Sequence, residues 1–235
     1  MMKISDDGLR ELIASEGARS QVYDDRTGKT VSSYSQVKGY PTIGVGHLIR
    51  DSERQKFAPY LGGGKKMTQY QLMELLRYDV KRFEDALNSR INFPMTQSMW
   101  DALVSISFNA GSNSYAVKDA IAKINAGDYT GAAKAILNGP VKSKGKVLEG
   151  LVKRRKREAM LFMKDGLPGK NNLLTGLGIV SALGLTAFFG TRYVKEHGVP
   201  EMPKLSMPDF LKRNPSPTPV LASANKEEEG DSDAE

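Results

Sequence analysis

The chain has 235 residues and a hydrophobic content of 40%, enough to bury one sizeable core with sequence to spare. It contains no cysteine, which excludes disulfide staples and thiolate metal sites and removes any dependence on redox compartment. The formal charge of +7 is carried by the stretch from Lys142 to Lys164, where nine basic residues stand against two acidic ones, and the rest of the chain is balanced.

The first element runs from Ser5 to Gly17, where an N-cap serine, first-turn acids Asp6 and Asp7 and a glycine stop predict one short helix. Leu9, Leu12 and Ile13 stand at i, i+3 and i+4, and Glu16 at i+7, so the Glu16 carboxyl points the way the apolar side chains do. Partial burial raises the pKa of such a carboxyl, because desolvation disfavours its charged form, and so suits a general acid. Asp25 lies nine residues on, in the polar turn from Tyr23 to Gly28 beside Arg26, where an acid stays ionised. Two carboxyls in unlike environments are what glycosidic bond cleavage requires. Read without chemistry, the same residues are a helix-end acid and turn-forming aspartates.

Tyr40 to His47 reads as a strand with Ile43, Val45 and His47 on one face and Thr42, Gly44 and Gly46 on the other. Glycine is poor in strands, and two on one face suit a backbone that a ligand approaches closely. Glu16-Gly17, Tyr23 with Asp25, the segment from Pro41 to His47 (PTIGVGH), Leu103 to Gly111 (LVSISFNAG) and Gly150 to Arg155 together resemble the phage-type lysozymes, glycoside hydrolase family 24. The resemblance covers residues 5 to 165 in order. It implies an α+β, mainly helical, lysozyme-like fold of two lobes with a small β-sheet. It also implies cleavage of the bond between N-acetylmuramic acid and N-acetylglucosamine in bacterial peptidoglycan, with inversion.

By the same resemblance Glu16 is the general acid, Asp25 the carboxylate that positions or activates water, and Thr42 the hydroxyl that holds that water. An inverting pair stands roughly 6.5–9.5 Å apart, leaving room for the water. Gly44, Gly46 and Asn109 are the expected substrate contacts. Sixteen residues separate Asp25 from Thr42, where compact members have far fewer. The extra piece, 29–40, reads as a hairpin on the cleft rim, either a substrate-contacting flap or a surface elaboration. A shifted turn there could present Asp24 in place of Asp25. His47 reads as a hydrogen-bonded supporting residue. With no HExxH spacing and no second histidine nearby, neither metal nor cofactor is expected.

Further helices are predicted from Thr68, which opens a capping box with Gln71, to Asn88, then 96–110 ending at Gly111, 114–126, 129–137 and 146–163. Trp100, with Leu103 and Phe108, reads as core. The run from Lys153 to Arg157 reads as a solvated face or as a patch for an anionic polymer such as a bacterial wall; no nucleic-acid fold accompanies it.

Residues 1–166 form the expected catalytic domain. In the next region, 167–197, no charge occurs from Asn171 to Thr191, and the 18 positions from Leu173 to Gly190 would span roughly 27 Å as a helix, enough for a bilayer core. Lys170, Arg192 and Tyr193 flank it, and Gly178 with Ala182 suits helix pairing and a homo-oligomer. The alternatives are a buried helix and an assembly helix. Residues 198–235, rich in proline and ending in acids, read as a disordered tail.

Met1 to Asp6 is no signal peptide, so the protein is expected at the host inner membrane or in a virion, where membrane permeabilisation, entry from outside or a lipid-containing particle would bring it to the wall. The competing class is a non-catalytic lysozyme-fold protein used in virion or membrane assembly.

Overall fold

The protein, for which the structure is a computed structural model, is described over residues 1–143 and 145–168. The stretch from Leu173 to Gly190 and the tail from Gly198, read above as a membrane helix and a disordered segment, lie outside the described residues. Among the described residues no helix is long and apolar enough to cross a membrane.

In chain order the elements are α1 (Asp6–Glu16), β1 (Arg19–Asp24), β2 (Pro41–Gly44), β3 (His47–Leu48), α2 (Arg54–Phe57), α3 (Gln69–Asn88), α4 (Gln97–Ala110), α5 (Tyr115–Asn125), α6 (Tyr129–Leu137), β4 (Lys142–Ser143), β5 (Lys146–Val147) and α7 (Glu149–Met163). Ser5, Thr68, Thr96 and Asp128 cap α1, α3, α4 and α6, each side chain accepting the backbone N–H three residues on. Each such cap contributes about 1 kcal/mol, which is why these helices begin where the polar residue stands. The expected last helix begins three residues later than read, at Glu149, because Lys142–Ser143 and Lys146–Val147 pair as a small antiparallel hairpin.

Two corrections concern the sheet. Pro41 to His47 is not one strand: β2 and β3 form a hairpin, with Ile43 opposite His47 and Thr42 opposite Leu48. Gly44 and Gly46 take positive φ, +65° and +77°, so the turn explains their spacing, rather than a bare strand face. At Gly44 a Cβ would also lie 3.1 Å from Leu75 Cδ2. Segment 29–40 is not a hairpin either. A single bridge joins Thr30 to Tyr23, and Ser33 then caps a 3-10 turn over Tyr34–Gln36. Val31 is buried, and Tyr34 and Val37 pack against the small lobe's core.

That small core holds Val22, Val31, Ile43, Ile49, Phe57 and Leu75. The larger one gathers α1 and α3 to α7 around Trp100, Leu103, Ile106 and Phe162, so Trp100 is core as read. Helix α3 joins the two, since the adjacent Leu75 and Leu76 project about 100° apart and enter different cores.

The N-terminus is tied down by buried acids. Glu84 accepts the Ile4 amide at 2.7 Å, and Asp101 accepts both the amide and the hydroxyl of Ser5, at 2.9 and 2.5 Å. Gly8 makes this possible, because a Cβ there would lie 2.7 Å from Ile4 Cγ1 and 2.8 Å from Asp101 Cγ. Gly8→Ala should therefore destabilise the protein by about 1–3 kcal/mol through overpacking, although alanine is the better helix former. A urea midpoint at or above that of the wild type would contradict this account.

Candidate active site

Helix α1 stops at Gly17, whose φ of +77° lets the chain turn while its amide bonds Ile13 O, and this leaves Glu16 at the helix end. The Glu16 side chain is partly buried, 29% exposed, as its place beside the apolar stripe leads one to expect. Its surroundings are not simply apolar, however. The Arg154 guanidinium, from α7, donates Nη1–H to Glu16 Oε1. Arg154 Nε also bonds Glu158 Oε1 at 3.0 Å, and that oxygen accepts the Ser105 hydroxyl at 2.8 Å. On the far side Arg155 Nε lies 3.0 Å from Glu158 Oε2, and Arg155 Nη2 donates to Asn109 Oδ1 at 2.7 Å.

The basic run of α7 is thus not one solvated face. Arg154 and Arg155 are 5% and 0% exposed, and they sit at the positions of the helix that meet α1 and α4. Burial pushes the Glu158 carboxyl above its usual range, against the opposing pull of Arg155, Ser105 and Arg154. Burial likewise lowers the Arg155 pKa, with Glu158 acting to raise it. Each charge here depends on its neighbour for the solvation that water has ceased to supply.

Glu16 faces a cleft of about 630 Å³, lined also by Gly17, Arg19, Tyr23, Gly44, Gly46 and Asn109 among others. This volume is of the size that takes a small ligand or part of a polymer. The two hairpin glycines and Asn109 therefore line one cleft with Glu16. Asn109 uses its carbonyl oxygen on Arg155, which leaves its amide hydrogens for a bound molecule.

Asp25 and Thr42 are not among the residues lining that cleft. They come together through the backbone of Tyr40 instead. The Tyr40 amide donates to Asp25 Oδ1 at 2.7 Å, while the Tyr40 carbonyl accepts the Asp25 amide and the Thr42 hydroxyl, both at 3.1 Å. Thr42 stands opposite Tyr23 in the sheet. Burial pushes the Tyr23 phenol up, Arg19 acts to lower it, and the Asp25 charge raises it further, so Asp25 acts electrostatically on the cleft wall.

Asp24 and Asp25 differ sharply. Asp25 is exposed, whereas Asp24 is 1% exposed and both its oxygens are occupied. Oδ1 accepts the amides of Arg26 and Gly39, at 3.1 and 2.9 Å; Oδ2 accepts the Thr27 hydroxyl and the Lys38 amide, at 3.0 and 3.2 Å. Burial pushes the Asp24 carboxyl up, but the bonds from Lys38, Gly39, Thr27 and Arg26 outweigh it and hold the group below its usual range.

His47, 7% exposed, sets Nδ1 2.8 Å from Asp79 of α3 and Nε2 3.5 Å from Glu53, with the Phe57 ring 5.3 Å away. The contact with Asp79 links β3 to α3. No group of three or more His, Asp or Glu side chains among the described residues is arranged to hold a metal ion. Sequence reasoning missed Arg154, Arg155, Glu158 and Tyr40 as parts of the site. The spacing of Arg154 and Arg155 to Glu158, four and three residues on one helix, was the available signal for a paired internal cluster.

Removing the shared anion should leave the buried Arg155 guanidinium without an anionic partner and Arg154 with Glu16 alone. Glu158→Gln is expected to destabilise the protein by about 3–5 kcal/mol, read from chemical denaturation. A loss within the range of an ordinary surface substitution would mean that the cluster is solvated.

A family model for phage lysozyme matches residues 14–158. The endolysin of Salmonella phage P22 is 34% identical over 163 residues, which is 69% of this chain and 99% of that protein. A crystal structure of a P22 lysozyme variant superposes with a TM-score of 0.55 and 31% identity, covering 69% of this chain and 99% of that one. The muramidase domain of SpmX from Asticaccaulis excentricus gives a TM-score of 0.50 at 28% identity, over 69% and 99% of the two chains. With that model spanning most of the described residues and a relative of 34% identity covered almost end to end, the chain belongs to the phage lysozyme family.

Proposed function

We propose that the protein is a peptidoglycan hydrolase of the muramidase type, cleaving the bond between N-acetylmuramic acid and N-acetylglucosamine with inversion at the anomeric carbon. The observation that carries this reading is the position of Glu16, at a helix end facing a cleft whose other walls bear the β2–β3 glycines and Asn109. Names of relatives, endolysin and muramidase, agree with it.

In this reading Glu16 gives its proton to the glycosidic oxygen as that bond breaks. The carboxylate left behind faces Arg154, which compensates the new charge and restricts the side chain to one orientation. Water attacks from the opposite face of the sugar. The Thr42 hydroxyl, having donated its hydrogen to Tyr40 O, offers lone pairs, and Asp25 has only Oδ1 engaged by Tyr40 N. A water donating one hydrogen to Thr42 and the other to the Asp25 carboxylate keeps a lone pair for the anomeric carbon. Asp24 cannot take this role, since all its acceptor directions are used within its own loop.

The stretch from Leu173 to Gly190 extends the proposal to a membrane-associated hydrolase, on the strength of its length and its lack of charge. The structural alternative, a lysozyme fold kept for assembly, requires no turnover.

Clearing of a peptidoglycan suspension should fall about 10²- to 10⁴-fold in Glu16→Gln and about 10²-fold in Asp25→Asn, with both variants folded. Wild-type activity in Glu16→Gln sinks the assigned acid. Product anomers followed by NMR decide inversion against retention. Deleting 173–190 should move the protein from the membrane fraction to the soluble one, and unchanged fractionation refutes the membrane proposal.

A further inference from the structure

Segment 29–40 is the piece that the family resemblance marks as extra, and one buried carboxylate joins the turn before it to its far end. Each oxygen of Asp24 takes one bond from the outgoing turn and one from the returning segment before β2: Arg26 N and Gly39 N on Oδ1, Thr27 Oγ1 and Lys38 N on Oδ2. The next residue after that clamp is Tyr40, whose amide and carbonyl hold Asp25 and Thr42.

The return passes too close to both acids for a side chain at position 39. A Cβ at Gly39 would overlap Asp25 Oδ1, lie 2.7 Å from Arg26 Cβ and lie 2.9 Å from Asp24 Oδ1. Glycine at 39 therefore lets the backbone press against both acids at once. Bonds to an ionised acceptor are stronger than neutral ones, and four on one buried group fix the loop end more tightly than a surface elaboration requires.

We propose that Asp24 is a positioning residue for hydrolysis: by clamping 38–39 it sets the Tyr40 backbone, and through Tyr40 the Asp25 carboxylate and the Thr42 hydroxyl. The inserted segment then contributes to water activation from behind the sheet rather than as a flap over substrate. The chain of contacts runs Asp24 to Gly39, Gly39 to Tyr40, and Tyr40 to both groups that handle the water. An error of about 1 Å in placing such groups costs about 10²-fold in rate, so a loosened clamp has leverage on the chemistry. The proposal rests on the role assigned to Asp25.

Asp24→Asn turns one oxygen into a donor that faces existing donors, Thr27 Oγ1 or Lys38 N, and so opens one side of the clamp. On soluble peptidoglycan fragments it should lower kcat about tenfold with KM changed less than twofold, at a temperature where circular dichroism shows it folded. Hydrogen exchange at the Tyr40 amide should rise while amides of α4 keep wild-type protection. Thr27→Val removes one of the four bonds to Asp24, together with the 3.4 Å bond from the Lys29 amide, and should lower kcat about two- to threefold, which keeps the test open if Asp24→Asn fails to fold.

The proposal is overturned if the folded variants keep wild-type kcat, or if Tyr40 exchange is unchanged, while Asp25→Asn is impaired. Full activity in Asp25→Asn overturns the role of Asp25 itself and the proposal with it. Those two failures are told apart by the Asp25→Asn rate alone.

Discussion

A carboxylate held between two guanidiniums inside the protein is the interaction on which the rest of the site depends. Glu158 is buried with Arg154 and Arg155 against it, and its oxygens cannot exchange those partners for water. Because a lone buried charge costs several kcal/mol, the three groups persist only together. From this cluster Arg154 reaches out to Glu16 at the end of α1, and Arg155 reaches Asn109 at the end of α4. Two residues that face the cleft are thereby referred to one rigid point in α7.

The Asp25 and Thr42 pair is organised by backbone rather than by side-chain charge. Tyr40 N–H and C=O engage Asp25 and Thr42, and the ring of Tyr40 stays exposed. Asp24, like Glu158, is a buried acid held by its neighbours, and four donors on its two oxygens favour one geometry of the loop. The two acids differ in what they pair with, cations on α7 for Glu158 and three amides and a hydroxyl of its own loop for Asp24. Glu16 and Asp25 themselves stay exposed beside these buried acids.

Helix positions were legible because each rests on a local signal. Thr68 with Gln71, and Thr96 with Gly111, mark α3 and α4 within one residue of their observed ends. The hairpin at Gly44 to Gly46 was misread as a strand because alternation of apolar and small residues has the same appearance in both. Only positive φ tells them apart, and φ is not written in residue type when glycine has two uses. Segment 29–40 was misread for a related reason: Val31, Tyr34 and Val37 look like strand residues, and their packing on Phe57 and its neighbours is non-local.

What the sequence by itself determined is the family, the helical frame, and the candidacy of Glu16, Asp25, Thr42 and the hairpin glycines, because those depend on short-range spacing and residue chemistry. What only the tertiary structure decided is which of the acids and bases are spent on each other. Arg154 lies 138 positions from Glu16, and Lys38 lies 14 from Asp24; neither separation has a period that a linear pattern can carry. A run of five cations reads as solvated until the fold turns two of them inward, and adjacent aspartates read as equivalent until one is buried. Burial is a property of the packed chain, and burial is what converts a charged residue from a surface group into a fixed part of the site.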